Sequence, residues 1–130
     1  DYTLSYYCNR IKNTRGHQLA MAAVYYSPLQ FMFWYDDPKL FDGGEELAFW
    51  RAIPTVFDES RCLDGHAGKY IVQARRAGSD WFVGAMNSTE ATDAPDAVEG
   101  LYEVLTLKAG KTITLPLQPS GGAALRFVEL

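Results

Sequence analysis

Residues 20–35, AMAAVYYSPLQFMFWY, are apolar almost throughout, and Ser27-Pro28 divides them. Proline has no backbone N–H and its ring clashes with the preceding turn, so a helix entering this run stops before Pro28 and falls short of the ~20 residues a membrane span needs. Upstream, Leu19, Ala22, Ala23 and Tyr26 recur at helical spacing, and Asn13 or Thr14 is placed to accept the orphan N–H groups of a first turn. This predicts a helix from Arg15 to Tyr26. Downstream, LQFMFW is too short for a second helix and too continuous for a half-exposed strand. It predicts a strand covered on both faces, as in a parallel sheet beneath helices.

Asp36-Asp37-Pro38 marks the next turn, with Asp37 placed to cap a short helical turn that begins at Pro38. After Gly43-Gly44, EELAFWRAI sets Leu47, Trp50 and Ile53 on one face and puts Glu45 and Glu46 at the positive end of the helix dipole, which predicts a helix to Ala52. Helix, buried strand, helix is an α/β order. It is incomplete, because a buried strand needs parallel neighbours and this segment shows no second strand to pair with it. Residues 1–53 therefore read as the tail of a larger sheet or barrel.

Past Pro54 the pattern changes to alternation and glycine turns. DESRCLDGHAGKYIVQARRAGSDWFVGAM reads as three strands joined by two tight turns, with Tyr70, Val72 and Ala74 on one side of the middle strand and Ile71, Gln73 and Arg75 on the other. TEATDAPDAVEG is a loop, and YEVLTL, TITLPL and AALRFVEL predict three further strands. Short strands with frequent turns point to an antiparallel sandwich over residues 54–130, so the fold class is α+β overall. No internal repeat or low-complexity tract interrupts either half.

With 130 residues, 48% of them hydrophobic, the chain has material for one sizeable core. A formal net charge of -4 argues against a sequence-independent nucleic-acid surface, which needs clustered Lys and Arg. The first residues, DYTLSYYCNRIKNTRG, lack a cationic leader with an apolar core, so the expectation is a cytosolic chain or a signal lying on sequence outside it. Cys8 and Cys62 are too few for a disulfide scaffold and lack the spacing of a zinc site; both are expected to be buried or half-buried thiols.

Catalytic chemistry finds few candidates. His17 and His66 are the only histidines: His17 has no Glu or His four residues on and reads as a packed or hydrogen-bonded helix histidine, and His66 in DGHAG reads as an exposed turn residue. Neither G-x-S-x-G nor G-x-G-x-x-G occurs. Glycoside hydrolysis needs two carboxylates facing one bond, and Asp36-Asp37, Glu45-Glu46 and Asp58-Glu59 are adjacent pairs. Turn and helix-start chemistry explain the first two. Asp58-Glu59, at the junction of the halves, is the pair left over, and a junction salt bridge or hydrogen bond is favoured for it over catalysis. Trp34, Tyr35, Trp50, Trp81 and Phe82 could stack sugars, but aromatics in apolar runs are usually core, and Trp81 and Phe82 alternate across their strand. The residues alone supply no self-sufficient active site.

Taken in order, DYT, TRGHQLAMAAVYYSPLQ, IPTVFDESRCLDGHAGKYIVQARRAGSDWFVGAMN and TITLPLQPSGGAALRF resemble the C-terminal end of glycoside hydrolase family 97, the α-glucosidase and α-galactosidase family of polysaccharide-degrading bacteria. HQLA, YSPLQ, PTVFDES and GKYIVQARRAGSDWFVGAM carry the resemblance together, and it spans nearly the whole chain except residues 89–101. It implies that residues 1–53 are the C-terminal end of a (β/α)8 catalytic barrel and residues 54–130 a β-sandwich associated with homo-oligomerisation. For the whole enzyme it implies hydrolysis of an α-linked oligosaccharide, a glutamate general acid, calcium held by glutamates, and a periplasmic or extracellular location.

The family's glutamate motif precedes the segment at which this chain starts, so no catalytic, cofactor-binding or metal residue carries over, and the chain alone is expected to be inactive. Asp1, matching an aspartate near the barrel mouth, is a candidate for supporting the site. DYTL departs from the family's DYTP, and TEATDAPDAVEG is shorter than the strands the family has there, which leaves sheet edges to be paired. Two rivals remain. One is a stand-alone carbohydrate-binding or oligomerisation module, recognisable by Trp34, Trp50 and Trp81 exposed on one face. The other is a small complete enzyme using Asp58 and Glu59.

Overall fold

The computed structural model describes residues 2–6, 13–34, 39, 45–88, 108 and 110–129, with the backbone alone for 2–6, 32–34 and 45. Two strands, β1 (Tyr2–Tyr6) and β2 (Gln30–Trp34), flank helix α1 (Arg15–Val24) in sequence and pair in parallel from Tyr2↔Gln30 to Tyr6↔Trp34. This corrects the sequence reading, in which the first segment held no partner for the buried strand. The partner is YTLSY, whose Tyr and Thr suit a strand but whose pairing spans the whole helix and leaves no local sign.

Of the two caps the sequence offered, Asn13 or Thr14, helix α1 uses Thr14, whose Oγ1 accepts from His17 N at 3.1 Å. It ends two residues before Tyr26. Tyr25 turns to extended backbone (φ −77°, ψ 128°) while its N–H still donates to Met21 O at 2.9 Å, so the chain leaves the helix before Pro28 constrains it. Helix α2 (Glu45–Ala52) begins where expected, but its buried residue is Phe49, with Leu47 and Trp50 half-buried. Phe49 meets Phe82 edge to face at 6.1 Å, and that contact turns the helix away from the face read from sequence. The short turn at Pro38 lies outside the described residues.

Strands β3 (Glu59–His66), β4 (Tyr70–Ala77), β5 (Asp80–Asn87) and β6 (Gly122–Phe127) form one antiparallel sheet in that order. The turns after His66 and Ala77 place Gly68 (φ 73°) and Gly78 (φ 60°) in the left-handed region that glycine enters without steric cost. His66 is thus the last residue of β3, paired with Tyr70, and not a turn residue, though it is exposed as expected. TITLPL takes no regular strand: residues 111–118 are irregular and no described strand pairs with them, and alternation alone makes no strand without such a ladder. YEVLTL lies outside the described residues. The antiparallel sheet is the described layer of the expected sandwich.

The register divides the sheet into two faces. Arg75, Phe82 and Arg126 share one with Gln73, Gly84 and Ala124; Arg61, Ala74, Val83 and Leu125 share the other with Trp81 and Phe127. Helix α1 lies on the first face across β4, β5 and β6, and Phe82 on that face, packed against the Phe49 and Phe57 rings, is 1% exposed. On the second face Leu63 and Phe127 are exposed among the described residues, Arg61 lies 5.2 Å over the Trp81 ring, and Ala74 is buried. Phe31 on β2 is 52% exposed, so the described residues do not give that strand the two-sided cover expected of it.

Candidate functional site

What this chain builds most carefully is the seam between α1 and the antiparallel sheet. Gly16, Ala20 and Ala23 recur along one side of the helix, and Gly84 and Gly122 lie opposite them on β5 and β6. A Cβ on Gly84 would come within 2.7 Å of Ala20 O and 3.0 Å of the Ala23 Cβ; one on Gly122 would come within 2.6 Å of His17 Cα. The backbones approach so closely that only glycine fits, which is the usual reason for a glycine inside a strand. The sequence reading passed over Gly84, yet a glycine in the middle of DWFVGAM was the signal available.

Arg75 closes the C-terminal end of the seam. It is 3% exposed, its Nη2 donates to Val24 O at 3.1 Å, and its guanidinium lies 5.2 Å from both the Tyr26 and Phe57 ring centres. A cation here satisfies an orphan carbonyl at the negative end of the helix dipole. Alternation placed Arg75 correctly on its face of β4 but gave no hint that the face was buried.

Asn87 closes the N-terminal end. Its Nδ2 donates to Gln118 O (3.1 Å), its Oδ1 accepts from Gly121 N (3.0 Å), and its own N–H donates to Gly121 O (3.1 Å). The turn so held includes Ser120 at φ 49°, and it reaches the helix through Thr14 N–H to Ser120 O at 3.4 Å. Half-buried His17 adds Nδ1 to Gly121 O at 3.2 Å; a carbonyl only accepts, so Nδ1 carries the proton.

Burial pushes His17 below the ordinary histidine value of 6.5, against the opposing pull of the Gly121 and Ser120 carbonyls. With the folded value depressed, protons bind preferentially to the unfolded chain below pH 6.5. Stability is therefore full above pH 6.5 and declines as the pH falls through the interval beneath it. Denaturant midpoints measured from pH 7.5 to pH 5 should fall, and His17→Asn, which keeps a donor for Gly121 O and cannot titrate, should flatten that slope.

The carboxylates at the junction are engaged with arginines. Asp58 Oδ2 accepts from Gly78 N at 2.8 Å and sits 3.5 Å from Arg76 Nη1; Glu59 bonds Arg61 Nε through Oε1 and Arg76 Nε through Oε2, the latter at 3.2 Å. The Arg61 hydrogen bond first, then that from Arg76, holds Glu59 below the ordinary carboxylate range. A general acid for hydrolysis must hold a proton near neutral pH, which Glu59, kept ionised by two arginines, does not; in this structure Asp58 and Glu59 tie the start of β3 to β4 and the β4–β5 turn. Asp1 lies outside the described residues.

His17 and His66 line one open groove between α1 and the β3–β4 hairpin, together with Cys62, Lys69, Tyr70 and Met86. Cys62 is exposed, contrary to the buried or half-buried thiol expected, because β3 lies at the edge of the sheet that the described strands form; Cys8 lies outside the described residues. Among the described residues no three His, Cys, Asp or Glu side chains stand close enough to hold a metal ion. Of the aromatics, Phe82 is core, Trp50 and Trp81 are half-buried, and the side chains of Trp34 and Tyr35 lie outside the description. No helix among the described residues is long and apolar enough to cross a membrane.

Residues 56–95 match the family model described as glycosyl-hydrolase 97 C-terminal, oligomerisation. A retaining alpha-galactosidase of Bacteroides thetaiotaomicron is 43% identical over 83 residues, covering 63% of this chain and 12% of that protein. A family 97 glycoside hydrolase from a Pseudoalteromonas species, solved in complex with panose, superposes with a TM-score of 0.78 at 28% identity; the match covers 98% of this chain and 24% of that one. A beta-arabinopyranosidase superposes at 0.54, with 32% identity over 59% of this chain and 12% of that one. The chain thus spans a small part of the relatives it matches. Residues 56–95 carry the C-terminal oligomerisation region of glycoside hydrolase family 97, and the chain as a whole is similar to the C-terminal part of that family's solved enzymes.

Proposed function

We propose that this chain is the closing segment of an α-glycosidase: residues 1–53 complete a (β/α)8 barrel, and residues 54–130 form the sandwich that braces it and joins copies of the enzyme. The observation that carries this reading is the burial of α1 on two opposite sides. Gly16, Ala20 and Ala23 face the antiparallel sheet, and Gln18 (6% exposed) and Ala22 (0%) lie on the other side of the helix, which contacts β1 of the parallel pair. A helix between a parallel and an antiparallel sheet is a joint between two domains. The parallel half also supports incompleteness: Leu29 and Phe31 are each 52% exposed, and Gln18 Oε1 is buried with no hydrogen-bond partner among the described residues. Native buried acceptors are nearly always paired, so a donor from the rest of a barrel fits here.

On this reading the substrate is an α-linked oligosaccharide, cleaved by carboxylates on the preceding part of the barrel, and the enzyme works in the periplasm or outside the cell. Calcium, which the family resemblance assigns to the whole enzyme, finds no ligand cluster among the described residues, and no step is derived through it. The test is hydrolysis of p-nitrophenyl α-galactoside and α-glucoside by the enzyme extended toward its N-terminus and by residues 1–130 alone. Turnover by the extended enzyme only, with more than one copy in sedimentation, is expected. Turnover by residues 1–130 that Asp58→Asn or Glu59→Gln abolishes would instead establish the small complete enzyme.

A further inference from the structure

We infer that Asn87 and His17 are positioning residues for the glycosidase reaction, acting from the sandwich on the mouth of the barrel; the inference rests on the reading just proposed. In a parallel barrel the active site is built on the connections that leave the carboxyl ends of strands and enter the N-termini of helices. Here one such connection leaves β1 at Tyr6 and enters α1 at Arg15, so Asn13-Thr14 is its downstream root. That root is fixed by Gln18 Nε2 to Asn13 Oδ1 (2.8 Å), by His17 N to Thr14 Oγ1 (3.1 Å) and by Thr14 N to Ser120 O (3.4 Å).

The first two bonds are internal to the helix start; the third ties it to the 118–121 turn of the other half. His17 Nδ1 makes the second tie, to Gly121 O. That turn is held in place by the three bonds of Asn87 at the end of β5. Gly122 adds a steric stop, since a Cβ there would lie 2.9 Å from His17 N and 2.6 Å from its Cα. An unbroken chain of hydrogen bonds and backbone contacts therefore runs from the core strand of the sandwich to the root of a connection at the barrel mouth. Sequence position separates these groups widely, and the fold brings them together only at this point.

Active-site groups shifted by about 1 Å through a distant change cost as much as ~100-fold in rate. In the extended, full-length enzyme, assayed well below its unfolding temperature, Asn87→Ala should lower kcat about tenfold or more while KM changes less. His17→Leu should lose activity in the same way, and His17→Asn, which restores a donor to Gly121 O, should recover most of it. Should Asn87→Ala not fold, the His17 pair and Asn87→Asp, which keeps the acceptor for Gly121 N but sets a carboxylate oxygen against Gln118 O in place of the donor, carry the same comparison. Unchanged kcat and KM in folded His17→Leu and Asn87 variants, with only the melting temperature moved, would overturn the inference. A wild-type enzyme with no α-glycosidase activity would instead sink the parent reading.

Discussion

Gly84→Val is expected to destabilise the protein by about 3 kcal/mol, lowering Tm by roughly 10 °C. The valine Cβ alone would stand 2.7 Å from Ala20 O and 3.0 Å from Ala23 Cβ and Val24 Cγ2. The nearest of these is helix backbone, which cannot rotate aside, so α1 must lift from the sheet. Lifting it exposes Ala20 and Ala23, each 0% exposed. Gly84→Ala should show the same effect at smaller size. Thermal unfolding followed by circular dichroism measures both, and a Gly84→Val protein as stable as the wild type would mean that the seam is not the close contact described.

Arg75→Ala should cost about 3 kcal/mol, from a lost charge-assisted hydrogen bond, an unpaired buried carbonyl at Val24 and lost contacts with the Tyr26 and Phe57 rings. Arg75→Met separates the causes, because it keeps most of the stem volume and removes the guanidinium. A loss of about 2 kcal/mol in Arg75→Met assigns the effect to the cap, and its amide exchange should speed up at the C-terminal turn of α1. A loss confined to Arg75→Ala assigns it to packing. The effect is large because the guanidinium binds the far half of the chain to a helix end 51 residues away. Surface pairs such as Arg126–Asp80, in which Nη2 and Nε both donate to Asp80 Oδ2 at 2.6 and 2.9 Å, should contribute less, since solvent screens them.

The features legible in the sequence were those with local causes. Thr14 as cap, the two glycine turns and the alternation in YIVQARRA and DWFVGAMN depend on neighbours within a few residues, and the structure has all of them. β1 escaped notice because its partner lies beyond an entire helix. Phe49 replaced Leu47 and Trp50 as the buried residue of α2 because Phe82, 33 positions later, selects the face. Gly84, Arg75 and Asn87 were visible as motif residues, but their roles arise from a helix laid across a sheet that the sequence places in another half. Periodicity shows which residues share a face, and it does not show what comes to cover that face.

The most direct test of the account is removal of residues 54–130 from the extended enzyme. If the antiparallel sheet braces the barrel through α1, the truncated protein exposes the Gly16, Ala20 and Ala23 side of that helix, and it should lose both α-glycosidase turnover and cooperative unfolding. A truncated enzyme that keeps the wild-type kcat/KM and Tm would contradict the account.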